Sequence, residues 1–159
     1  MNNKTLFNNL FLYSVLGIFI TVAACSNSVT GGEDEHSEPE GFRLKLSGQT
    51  IVEQLPDEAL TGGITVEAGE ETALISIFFI NHDGEEFQPD GEEETLGYEF
   101  AASGIAESEQ HSEDGKWSFH VHGETEGNTT LQLMIMHDGH SDFESLPIPI
   151  TVTAAAKNN

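Results

Sequence analysis

"KWSFHVHGE", Lys116 to Glu124, decides how the rest of the chain is read. Trp117, Phe119 and Val121 alternate with Ser118, His120 and His122. A period of two belongs to a β-strand, so one face enters a core and the other carries a histidine pair.

The stretch just upstream supplies its partner. "SEDGK" reads as a hairpin with Asp114 and Gly115 as the two loop residues. Glu113 then faces Lys116, Ser112 faces Trp117 and His111 faces Ser118. Continuing the register, Glu109 faces His120 and Glu107 faces His122. His111, His120, His122, Glu107 and Glu109 would share the face opposite the apolar triplet. Directly opposed Cβ atoms lie about 5 Å apart, close enough for imidazoles and carboxylates to converge on one ion. A slip of one residue would move the glutamates to the other face.

Further out, the pattern stays β. "FRLKL" alternates Phe42, Leu44 and Leu46 with polar positions, and "GGITVEAGE" gives a short strand. "TALISIFFI", Thr72 to Ile80, is nearly continuous in apolar residues, as a central strand requires. It ends at "NHDG", a turn signal. "LGYEFAA" and the more polar "GIAESEQH" follow, and beyond the opening stretch "TTLQLMIM" aligns Leu131, Leu133 and Ile135. "HDGH" turns the chain. "SLPIPITV" closes the pattern with Leu146, Ile148, Ile150 and Val152, and its prolines, Pro147 and Pro149, predict an edge strand. No amphipathic helix is evident. About seven short strands separated by frequent turns predict an all-β sandwich.

The ends divide the chain. Residues 1–24 carry Lys4 and the apolar run "LFLYSVLGIFITVAA", and the one cysteine, Cys25, follows Val22-Ala23-Ala24. This resembles a bacterial lipoprotein signal peptide with its lipobox. The resemblance implies cleavage before Cys25, lipidation of its sulfur and a membrane anchor at the cell envelope, on the periplasmic side of the outer membrane or at the cell surface. Residues 25–40, "CSNSVTGGEDEHSEPE", read as a disordered acidic tether that includes His36. Residues 41–153 form the sandwich and 154–159 a tail. Cys25 is the only thiol, which excludes a disulfide framework or a thiolate zinc site from the domain.

The formal charge is −23. With Lys4 set aside, Arg43, Lys45, Lys116 and Lys157 stand against 28 acidic residues. Nucleic acid and anionic membrane surfaces are excluded as partners, because both need cationic patches. Divalent cations and other envelope proteins remain.

"ITVEAGEETALISIFFINHDG", with "GIAES", "GKWSFHVHGETEGNTTLQL" and the final "IPITV", resembles the bacterial Ig-like domains over Gly62 to Thr153. That resemblance implies an Ig-like sandwich and says little about activity. It also implies a second grouping, because three turns of that topology lie at one end of the sandwich. They bring together His82, His111, His137 and His140, with Asp138 beside the last pair. "FHVHG" is in addition similar to the copper-binding strand of copper-zinc superoxide dismutases. Only 37 residues follow His122, too few for that family's remaining ligands.

Histidine with carboxylate suits zinc first and copper second. Met134 and Met136 on one strand face would favour copper(I), and packing is the plainer role for them. Calcium is a weaker candidate, through Asp83, Glu85, Asp90 and Glu92 in a stretch where Glu86 replaces the sharp-turn glycine of an EF-hand. No nucleophile pattern, phosphate loop or HExxH helix indicates an enzyme. The sequence therefore predicts an envelope lipoprotein binding a transition metal through surface histidines, as buffer, chaperone or sensor. The alternative is a structural or adhesive Ig-like module whose histidines act only as a solvated or pH-responsive surface.

Overall fold

The computed structural model describes residues 38–156. The signal peptide, Cys25, His36 and Lys157 lie outside them. The described residues fold as strands and turns. They contain no helix long and apolar enough to cross a membrane.

The described residues form twelve strands, two of them only two residues long, where about seven were expected. They are β1 (Gly41–Leu46), β2 (Gln49–Gln54), β3 (Thr61–Gly62), β4 (Ile64–Glu67), β5 (Ile75–Ile80) and β6 (Glu86–Phe87). The second half has β7 (Thr95–Phe100), β8 (Ala106–Glu109), β9 (Ser118–Gly123), β10 (Gly127–His137), β11 (His140–Glu144) and β12 (Ile148–Thr153). One sheet runs β3-β2-β1-β5-β9-β8, with β6 on β5; the other runs β11-β10-β12-β4, with β7 on β10. The two sheets make an all-β sandwich.

Its core is the set of alternating apolar faces. Phe42, Leu44, Ile75, Ile77, Phe79, Phe119 and Val121 from the first sheet meet Leu131, Leu133, Ile135, Ile148 and Ile150 from the second. Phe79 anchors an aromatic cluster, edge-on to Trp117 at 5.3 Å and to Phe143 at 5.5 Å between centroids. Trp117 is buried, and its indole N–H donates to Pro89 O at 2.7 Å. Leu146, expected in the final alternation, is instead exposed.

Residues 61–67 serve both sheets. Thr61–Gly62 pairs with β2 of the first sheet, and Ile64–Glu67 pairs in parallel with β12 of the second. β12 is therefore flanked by β10 and β4 and is no edge strand, contrary to what its prolines predict. Pro149 escapes the penalty by position. It precedes Ile150, the first residue in register with β4, and faces Gly63, whose N–H goes to Ile51 O in the other sheet.

Two hairpins have two-residue loops. Ser47-Gly48 (φ 51° and 81°) joins β1 to β2, and Asp138-Gly139 (φ 49° and 82°) joins β10 to β11. Both central residues of each lie at positive φ, as a type I′ turn demands. Asp114-Gly115 is different. Only Gly115 has positive φ (84°), so the expected tight hairpin gives way to a wider loop between Glu109 and Ser118.

Candidate functional site

The β8–β9 ladder places Glu107 opposite His122 and Glu109 opposite His120. This is the register derived from the sequence, reached through a longer loop than expected. Trp117, Phe119 and Val121 point into the core, so Ser118, His120 and His122 face outward.

The outward face is partly covered. Chain at Thr72 lies along β9: Thr72 N–H donates to Val121 O at 3.0 Å, and its Oγ1 accepts the Val121 N–H at 3.0 Å. His120 Nδ1 lies 2.8 Å from Thr72 O. A carbonyl can only accept, so Nδ1 carries the hydrogen. In the neutral ring, Nε2 then holds a free lone pair. That Nε2 faces Asp114 Oδ2 at 3.5 Å, and the two side chains are only 13% and 10% exposed. Asp114 is fixed from behind by the His111 N–H, which donates to Oδ2 at 2.8 Å. The His111 and His120 rings are 5.4 Å apart between centroids.

Donor atoms of His111, Asp114 and His120 all lie within 4.8 Å of one another. The donor atoms of a neighbouring group, Glu71, Glu109 and His111, lie equally close together, and the two groups share His111. Glu109 reaches His111 Nδ1 at 3.8 Å. His122 and Glu107 do not join either group. They form a separate pair at 3.8 Å, and His122 Nδ1 is buried without a hydrogen-bond partner. The five-residue set expected from the ladder thus divides. Asp114, assigned to a turn by the sequence reading, lies with His111 and His120, while Glu109 groups with Glu71 and His111.

The second expected grouping also changes membership. His137 and His140 face each other across the β10–β11 hairpin, with rings 5.8 Å apart. Asp142 lies 3.3 Å from His137 Nδ1 and 3.0 Å from His140 Nε2. Asp138 and Glu93 approach His137 from its other side at 3.9 and 3.7 Å. His82 belongs to neither group; it pairs with Glu40 at 3.3 Å and is almost fully exposed. Asp142 follows His140 by two residues on one strand, the signal that could have identified it.

The described cations are engaged elsewhere. Arg43 pairs with Glu53 at 2.5 Å and Glu86 at 2.9 Å, Lys45 with Glu86 at 2.6 Å, and Lys116 Nζ donates to Gly91 O. None of these contacts involves a carboxylate of the two histidine clusters.

No family model and no curated protein matches the chain. Among solved structures it is similar to domains 4 and 5 of the S-layer protein SbsC, at 21% identity, covering 73% of this chain and 66% of that one, with a TM-score of 0.41. It is also similar to a structure of SbsC domains 5–6, at 19% identity, 67% and 46% coverage and a TM-score of 0.43. The chain spans less than two thirds of each of these structures.

Proposed function

We propose that this chain is a structural or adhesive Ig-like module of the cell envelope, held at a membrane by lipid on Cys25 and working through surface contact without catalysis. The observation that supports this reading is the use of the interior. The space between the sheets is taken up by one apolar cluster running from Phe42 to Val152. Most of the ionisable groups lie on the outer faces and loops, where contact is the available chemistry. An acidic surface selects basic or cation-bridged envelope partners over anionic lipid.

Two measurements test it. Cys25→Ser should abolish fatty-acid labelling and release the chain from the membrane fraction. Photo-crosslinkers placed in living cells at Glu53 on one sheet and Thr151 on the other should give a discrete envelope adduct from one face. Adducts from neither face would sink the contact reading.

A second reading, transition-metal binding as buffer, chaperone or sensor with zinc first and copper second, is supported by the convergence of His111, Asp114 and His120.

A further inference from the structure

We infer that His111, Asp114 and His120 form a zinc site in which the ion clasps the loop between β8 and β9 onto β9. This deepens the metal reading and rests on it. It assigns the ion to a particular donor set that excludes the adjacent His122.

The argument starts from an electrostatic conflict. Thr72 O fixes the hydrogen of His120 on Nδ1, so the Nε2 lone pair of the neutral ring confronts the Asp114 carboxylate at 3.5 Å. Two acceptors aimed at each other repel unless a cation lies between them. The cation is either a proton or a metal. The 3.5 Å separation is close to the edge of a zinc tetrahedron, about 3.4 Å for ligand bonds near 2.1 Å. A third donor, the His111 ring, is already within 4.8 Å, which a proton would not require.

The supporting residues are arranged as ligand supports usually are. Thr72 O orients one imidazole and sets its tautomer, and the His111 amide orients the carboxylate. Glu109 and Glu71 lie beside His111, add negative charge and form with it an overlapping donor group. Two imidazoles and one carboxylate leave a fourth position for water or Glu109.

The competing clusters are less prepared. His140 and Asp142 are 64% and 38% exposed, and Asp142 already bridges both histidines at ordinary hydrogen-bond range. His122 pairs with Glu107 at 3.8 Å and, among the described residues, joins no three-donor group. The consequence for the fold is local. His111 and Asp114 belong to the loop and His120 to β9, so one ion would tie loop to sheet.

The test titrates the full chain, carrying Cys25→Ser to remove its thiol, with zinc chloride in a calorimeter. We expect one tight ion per chain, weakened at least about tenfold by Asp114→Asn and lost in His111→Ala/His120→Gln. Binding should survive His137→Ala/His140→Ala. Amide exchange provides the second readout: zinc should slow residues 110–116 at least about tenfold while the β10–β11 turn is unchanged. Melting in chelator confirms that each variant folds. No zinc binding by the parent chain would overturn both the metal reading and this site. Binding that persists in His111→Ala/His120→Gln, or that vanishes with His137→Ala/His140→Ala, would overturn this site alone.

Discussion

Asp114 and His111 bind each other through both backbone and side chain. The His111 N–H donates to Asp114 Oδ2 at 2.8 Å, and the Asp114 N–H donates to His111 O at 3.1 Å. This reciprocal closure converts what the sequence presents as a hairpin tip into a loop folded back toward His120. It also explains why Asp114 does not adopt the positive φ of a type I′ turn, since its carboxylate is committed to an amide behind it.

Asp114→Ala should therefore loosen the loop even without metal. A hydrogen bond to a charged acceptor is lost and the His111 amide is left half-buried, a cost of about 1.5 kcal/mol. Asp114→Asn keeps an acceptor oxygen and should cost about half as much or less. Trp117, the one tryptophan, reports unfolding in urea. Equal losses in the two variants would refute the capping role.

Tyr98 carries a different liability. Its hydroxyl is buried without a hydrogen-bond partner, against Phe119 at 5.5 Å between centroids, and burial pushes its pKa from 10.0 up to about 12. The unfolded chain loses this proton near pH 10, while the folded chain holds it to about 12. Stability should consequently fall as pH rises across that window. Tyr98→Phe should remove this part of the alkaline slope and raise neutral-pH stability by about 1 kcal/mol, because it deletes an unsatisfied group. Phenolate absorbance during an alkaline titration checks the first claim and urea midpoints the second. Titration of the Tyr98 phenol near pH 10 would contradict it.

The core was legible because period-two alternation is a local signal. Phe42 and Leu44, Phe119 and Val121, and Leu131, Leu133 and Ile135 are all buried where alternation places them. The β8–β9 register was legible for a related reason, since Asp114-Gly115 marks the axis of the pairing even though the turn is not tight. The missing strands are those without alternation. β2, "QTIVEQ", and β11, "HSDFE", have one buried side chain each, Val52 and Phe143, and β3 and β6 are two residues each. Of the proposed cluster, the sequence reading names His111 and His120 but not Asp114. Asp114 reaches His120 only because a loop folds back, and Glu71 reaches His111 only because the segment before β5 runs beside β9. Both are tertiary consequences that spacing along the chain does not encode. The prolines misled because Pro in a strand was read as an edge, whereas Pro149 sits where the β4 pairing has not yet begun.

Glu86 concentrates the basic residues of the first sheet. Hydrogen bonds from Lys45 and then Arg43 hold its pKa below the ordinary 4.5, outweighing the opposing effect of burial. A depressed folded pKa means that the unfolded state binds the proton more tightly. The contribution to stability is complete above about pH 4.5 and disappears as pH falls through the folded value. Glu86→Gln should thus be less stable than the parent at neutral pH, and the gap in urea midpoints should narrow in acid. Raising salt should narrow it as well, because the groups are partly exposed. A gap that is constant from pH 7 to pH 3 would show that the ion pairs contribute nothing.

Gly62 is where the chain leaves one sheet for the other, and two requirements coincide there. Its φ is +86°, and a Cβ would strike the carbonyl of Ile51. Gly48 provides an internal comparison: its φ is +81°, but a Cβ there meets nothing within 4 Å. Gly48→Ala should cost only the left-handed strain, about 1 kcal/mol. Gly62→Ala adds a backbone collision that only movement of β2 or β3 can relieve, and should cost at least about 3 kcal/mol. In a domain of this size each kcal/mol moves the melting temperature by about 4 °C, so the two variants should differ by roughly 8 °C. Equal shifts would mean that the sheet switch tolerates a side chain, and that Gly62 is needed for its dihedral alone.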